Sequence, residues 1–181
     1  MTPTDLQRMF EDFVREARHL QEKYKDKISL IVGLETDVIR KESFDRIKRL
    51  KEELQLDYIV GSVHHVDGIP IDVSHELFEK AEKSAGGTEE VMCRYFGHQY
   101  QLLEQVKPDI IGHFDLVRLY RPQFEITELM WKKIVRNIDL GISYGALFEI
   151  NTSGASPYRN LDSPYPHRKV LEVGCVCVLL S

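Results

Sequence analysis

The stretch Lys107-Pro108-Asp109-Ile110-Ile111-Gly112-His113-Phe114-Asp115 decides the fold. Proline stops the helix before it, because it lacks an N–H to continue the ladder. The short apolar run that follows suits a strand covered on both faces, as in parallel sheets. His113 and Asp115 come where that strand ends. Reading outward, residues 28–34 (ISLIVGL), 58–63 (YIVGSV) and 146–150 (ALFEI) are strands of the same kind.

Helical patterns separate these runs. Leu6, Met9, Phe10, Phe13, Val14, Ala17 and Tyr24 recur at helical spacing, with Thr2 as N-cap and Pro3 at the first helical position. Phe44, Ile47, Leu50 and Leu54 form a second stripe. Asp72 or Ser74 caps a short helix reaching Glu82, which Gly86-Gly87 breaks, and residues 88–106 form a longer one. Trp131, Ile134, Val135 and Ile138 give another. Helix alternating with buried strand, and no hairpin dipeptide read between strands, predicts an α/β fold with a parallel sheet.

A chain of 181 residues with 43% hydrophobic content is expected to form one domain over residues 1–181. A net charge of −5 argues against a nucleic-acid partner bound by blanket phosphate neutralisation. No apolar run approaches the ~18 residues of a membrane span, so no membrane partner is expected. Three cysteines, Cys93, Cys175 and Cys177, make no disulfide framework, and the expected setting is reducing and cytoplasmic.

In parallel α/β folds, side chains past the carboxyl ends of the strands converge on one face. Glu35 is expected at the first strand end, His64 and His65 at the second, and His113 and Asp115 at the third. Glu149, Asn151, Thr152 and Ser153 gather at the fourth. A carboxylate with imidazoles suits Zn²⁺, Mn²⁺ or Fe²⁺ better than the oxygen-seeking Ca²⁺ or Mg²⁺. The residue types alone thus reach a metal site with hydrolytic chemistry, and stop there.

The wording at the strand ends goes further. Gly33-Leu34-Glu35, Gly61-Ser62-Val63-His64-His65-Val66-Asp67-Gly68, Ile111-Gly112-His113-Phe114-Asp115-Leu116-Val117-Arg118 and Phe148-Glu149-Ile150-Asn151-Thr152-Ser153-Gly154 are in order along the chain. Together with Pro164-Tyr165-Pro166 they resemble the histidinol-phosphatase branch of the polymerase and histidinol phosphatase (PHP) superfamily over roughly residues 28–172. The resemblance implies a distorted (β/α)7 barrel with two or three divalent metals, and hydrolysis of the small phosphorylated substrate L-histidinol phosphate in histidine biosynthesis. It implies metal ligation by Glu35, His64 and His113, which makes these the catalytic set. Arg118 or Arg159 is the expected phosphate clamp. His65, Asp67, Asp115, Glu149 and Asn151 are expected to support the ligands.

The chain departs from the family pattern at both ends. None of its seven histidines forms a His-x-His pair, and no Asp-x-His follows the last strand. Residues 173–181 instead make an atypical apolar tail, expected to expose an aggregation-prone edge. The expectation is an incomplete barrel with one closed metal position and little phosphatase activity on its own. The alternative is a non-catalytic PHP remnant or binding module. A PHP-type nuclease fits less well, for want of a basic groove.

Overall fold

The computed structural model describes residues 3–37, 42–155, 161, 163–173 and 178–180. The elements run α1 (Pro3–Tyr24), β1 (Gly33–Asp37), α2 (Glu42–Glu53), β2 (Tyr58–Ser62), β3 (His65–Val66), β4 (Ile69–Pro70), α3 (His75–Ala85), α4 (Thr88–Val106) and β5 (Ile110–Ile111). After a 3₁₀ turn at Leu116–Arg118 come α5 (Glu128–Ser143) and β6 (Leu147–Ile150). A second 3₁₀ turn at Thr152–Ala155, α6 (Arg168–Val173) and β7 (Val178–Leu180) follow.

Five strands form one parallel sheet in the order β1-β2-β5-β6-β7. The order follows the chain without a reversal. A doubly wound sheet reverses direction at a switch point, whereas a β/α barrel advances around its wall one neighbour at a time. The sheet is therefore an arc of barrel wall, and no closed barrel forms among the described residues. The sequence predicts the same, parallel strands in an incomplete barrel.

Several details differ from the sequence reading. Residues 28–32 are not a strand: Ile28 and Ile31 are exposed, and only Val32 is buried. Polar clamps hold this stretch, with the Leu30 carbonyl accepting from Gln21 Nε2 at 2.6 Å and Val32 N–H donating to Asp57 Oδ2 at 2.6 Å. β1 starts instead at Gly33, so Glu35 lies inside the strand rather than past its end. A hairpin does occur, because β3 and β4 pair antiparallel. Its turn is Asp67-Gly68, with φ of 50° and 78°, the two positive values of a type I′ turn. This Asp-Gly dipeptide is the hairpin signal that the reading passed over. At residues 178–180 the apolar tail is a strand, β7, which pairs with β6 on one side and stands last in the sheet among the described residues, as the expected edge. Thr2, the expected N-cap of α1, lies outside the described residues.

α3 begins where the sequence allows, with Ser74 as cap: its side chain accepts from Leu77 N–H at 3.2 Å. It runs on to Ala85, and Gly86 at φ 108° ends it. Thr127 caps α5 in the same way.

The core beneath the strand ends is aromatic. Phe114 is fully buried, with ring centroids 5.8 Å from Phe96 and 5.7 Å from Phe148. Its carbonyl accepts from Tyr95 Oη at 3.2 Å and Gln99 Nε2 at 2.8 Å. Asn137, fully buried, donates to the Phe96 carbonyl and to Gln99 Oε1. These satisfied polar groups tie α4 and α5 to the segment that carries His113, where an unpaired buried amide would cost about 1–3 kcal/mol.

Candidate metal centre

Three adjacent strands supply three ligand-type side chains. Glu35 projects from β1, His64 follows β2 after Val63, and His113 follows β5 after Gly112. In the sheet register Glu35 stands level with Val60 and Ile110, so the two histidines come further along their strands, past the strand ends, and it is their side chains that meet Glu35. Their ligand atoms lie within 4.8 Å of one another. His64 Nε2 is 3.1 Å from His113 Nε2, and Glu35 Oε1 is 3.3 Å from His113 Nε2 and 3.8 Å from His64 Nε2.

Those spacings can be compared with a tetrahedral ion. Ligand bonds of 2.0–2.2 Å put neighbouring donor atoms about 3.3–3.6 Å apart. The three measured separations straddle that edge length. Two imidazole nitrogens and one carboxylate oxygen therefore fit a divalent transition metal, with coordination positions left over.

Electrostatics favours the ligand-competent forms. Glu35 is held down to about 2, chiefly by its hydrogen bond with His113 and further by Ser62 Oγ, which donates at 2.7 Å, against the opposing effect of burial. Burial lowers the His64 pKa and the neighbouring His113 lowers it further. A carboxylate that stays ionised beside an imidazole that stays neutral is the protonation pattern a metal needs.

Supporting groups come from the same strand ends. Asp37 sits two residues after Glu35, on the same face of β1. Its Oδ1 accepts from His64 N–H at 3.3 Å, and its Oδ2 lies 2.7 Å from His65 Nδ1. His64 and His65 thus both turn to Asp37, because β2 ends at Ser62 and strand alternation no longer separates them. Glu149 Oε2 accepts from His113 N–H at 2.7 Å, and Asn151 Nδ2 donates to Glu149 Oε1 at 3.3 Å. A cavity of about 320 Å³ opens over the cluster, lined by Glu35, His64, His113, Asp72, Glu149 and Asn151 among others.

Other expected residues lie elsewhere. Asp67 sits in the hairpin turn and holds Arg94 Nη1 and His98 Nε2, at 2.5 and 3.1 Å, which pins the hairpin to α4. Asp115 and Arg118 are buried and paired, with Nε 3.1 Å from Oδ2. Asp115 Oδ2 also accepts from His167 N–H at 2.7 Å, and Arg118 Nη2 donates to the Ser163 and Pro164 carbonyls. Burial pushes the Asp115 carboxyl up, while Arg118 and His167 N–H pull it down. The pair lines a separate cavity of about 470 Å³ with Phe96, Phe124 and Met130. Arg118 is thus neither a solvated surface charge nor a wall of the Glu35 cavity. Arg159, Cys175 and Cys177 lie outside the described residues. Asp37, Ser62 and Asp72 were missed as site residues. The i+2 spacing from Glu35 was an available signal for Asp37; for the other two, only the folded chain reveals the proximity.

Residues 3–153 match the PHP domain family. The chain belongs to that family. A Schizosaccharomyces pombe protein that carries the name histidinol-phosphatase is 42% identical over 179 residues, covering 96% of this chain and 58% of the relative. The Saccharomyces cerevisiae histidinol-phosphatase is 29% identical over 196 residues, covering 91% and 58%. The PHP chain therefore spans 58% of the length of either curated relative. Its fold is that of a candidate histidinol phosphatase from Listeria monocytogenes, with a TM-score of 0.82 at 22% identity over all of this chain and 71% of that one. A Lactococcus lactis histidinol phosphate phosphatase, crystallised with zinc, L-histidinol and phosphate, aligns with a TM-score of 0.63 at 21% identity over 82% of this PHP chain and 56% of that one.

Proposed function

We propose that this chain, as a single PHP domain over residues 1–181, forms the metal-binding part of a phosphomonoester hydrolase acting on L-histidinol phosphate. The observation that carries the reading is the convergence of Glu35 Oε1, His64 Nε2 and His113 Nε2 at separations of 3.1–3.8 Å. The similarity to the two yeast histidinol-phosphatases supports the substrate, and the zinc, L-histidinol and phosphate bound by the Lactococcus lactis protein support the chemistry. No helix among the described residues is long and apolar enough to cross a membrane. We infer a cytoplasmic setting from that and from the cysteine usage.

Glu35, His64 and His113 would hold one ion of Zn²⁺, Mn²⁺ or Fe²⁺, with a second or third ion at neighbouring positions. A divalent ion supplies water activation near neutral pH and charge neutralisation on phosphoryl oxygens. The protein's own residues do the rest. Asp37 and Glu149 fix the backbone on which the two imidazoles sit, and Ser62 fixes the Glu35 oxygen. Hydrolysis forms a bond from a water oxygen to phosphorus, breaks the ester P–O bond, and returns a proton to the departing alkoxide. The products are L-histidinol and inorganic phosphate.

A second reading, a metal- and phosphate-binding module without turnover, is favoured by the ligand count: one three-residue group among the described residues. One experiment addresses both. Zn²⁺ is titrated into the purified chain by calorimetry, and phosphate release from L-histidinol phosphate is followed with Zn²⁺, Mn²⁺ or Fe²⁺ present. Metal-dependent release that disappears in His113→Ala supports the hydrolase. Tight Zn²⁺ uptake without release supports the binding module, and no Zn²⁺ uptake sinks both.

A further inference from the structure

Besides Glu35, two carboxylates line the 320 Å³ cavity: Asp72 and Glu149. Glu149 is engaged, accepting from His113 N–H and from Asn151. Asp72 is different. It stands outside the three-residue ligand group, and no described residue hydrogen-bonds or ion-pairs with its carboxylate.

The backbone around Asp72 is fixed on both sides. Ile71, fully buried, donates its N–H to the His64 carbonyl at 2.9 Å. Tyr120 Oη donates to the Asp72 carbonyl at 3.2 Å, and two residues on Ser74 caps α3. The half-buried carboxylate is thus held against the cavity wall, and its charge is felt at His64. A carboxylate on a cavity wall, taking no hydrogen bond from a described residue, is placed to accept from a ligand in that cavity. A cationic donor entering the cavity would form a charge-assisted hydrogen bond with it.

Size sets which cation fits. A sphere of the cavity's volume is about 8.5 Å across, room for a small ligand with a group at each end. If the phosphoryl group lies at the Glu35, His64 and His113 end, the rest of the ester reaches toward Asp72. We propose that Asp72 is the counter-ion selecting phosphomonoesters that carry an ammonium group a few bonds from the ester oxygen. This rests on the phosphomonoester reading above and adds the residue that sets its specificity. A charge-assisted hydrogen bond of this kind is worth about ten- to hundredfold in affinity.

The test compares two small esters of equal length, 2-aminoethyl phosphate and n-propyl phosphate, by calorimetric titration of the Zn²⁺-loaded chain. The wild-type protein should bind the amine-bearing ester about tenfold more tightly or better. In Asp72→Asn that ratio should fall to near one. Asp72→Ser serves as a second neutral variant if the first does not fold. Equal binding of the two esters by the wild type overturns the proposal and leaves the phosphomonoester reading standing. So does an amine preference that survives in the folded neutral variant. Lower Zn²⁺ stoichiometry in Asp72→Asn would make Asp72 a metal ligand and overturn it too. Failure of either ester to bind the loaded wild type overturns both readings.

Discussion

Gly112→Ala is the perturbation that couples the sheet to the metal centre most directly. A Cβ at this position would lie 2.5 Å from Ser62 Oγ and 3.0 Å from Val60 Cγ1, whereas ordinary contact begins at 3.4 Å. Ser62 Oγ must move by about 0.9 Å, and it is the atom that donates to Glu35 Oε1 at 2.7 Å. Overpacking of this size costs about 1–3 kcal/mol. The lost hydrogen bond adds about 1 kcal/mol at most, because Glu35 is 53% exposed and water can replace the donor. A total of about 1–4 kcal/mol corresponds to a fall in Tm of roughly 2–16 °C for a chain of this size. Zn²⁺ affinity should drop about 10–100-fold, the usual effect of losing a group that orients a ligand. The assay is thermal unfolding plus calorimetric Zn²⁺ titration, run on Gly112→Ala, Ser62→Ala and the double variant. Removing Oγ relieves the 2.5 Å contact, so the double variant should be more stable than the sum of the two single effects implies. Strict additivity, or a wild-type Tm in Gly112→Ala, would refute the argument that these two residues touch.

Three further outcomes follow from the same geometry. His64→Ala and His113→Ala each remove one of three ligands, so Zn²⁺ affinity by calorimetry should fall by more than the 10–100-fold of a supporting group. Arg118→Ala should lower Tm by roughly 10 °C or more, because it strands the buried Asp115 carboxylate at about 3–5 kcal/mol; an unchanged Tm with a raised KM would restore the phosphate-clamp role. Glu35 titrates in the fold at about 2, below its ordinary 4.5, so its stabilising contribution is present above pH 4.5 and is lost as pH falls toward 2. The stability difference between wild type and Glu35→Gln, measured by thermal melts, should shrink across that window.

Most of the helices were legible because periodicity and breakers agree, and at Ser74 the cap agrees too. The first strand was misread because residues 28–32 are as apolar as a buried strand. Periodicity cannot see that Gln21 and Asp57 clamp their backbone outside the sheet. The hairpin was missed for the opposite reason. Its strands are two residues each, too short to show alternation, and only Asp67-Gly68 betrays it. Glu35, His64 and His113 could be nominated from their places near strand ends, whereas Asp72 could not. Asp72 reaches the cavity because the hairpin folds the chain back after His65, a path set by the turn and by Ile71 N–H bonding to the His64 carbonyl.

The location of the site follows from the order of the strands. Parallel neighbours lie about 4.8 Å apart, so ligands on β1, after β2 and after β5 can meet only if those three strands are adjacent. They are adjacent because the chain advances around the wall in one direction. Small residues let these strands and their neighbours approach closely: a Cβ at Gly61 would meet Pro108 at 2.5 Å, and one at Gly112 would meet Ser62 at the same distance. A register slip of one residue would turn Glu35 to the opposite face of the sheet, away from both imidazoles. Glu149 extends the row to β6, where it grips the His113 backbone rather than joining the ligand group. The same sheet therefore assigns two carboxylates different work by depth along the strand, Glu35 facing the imidazole nitrogens and Glu149 bracing the chain that carries one of them.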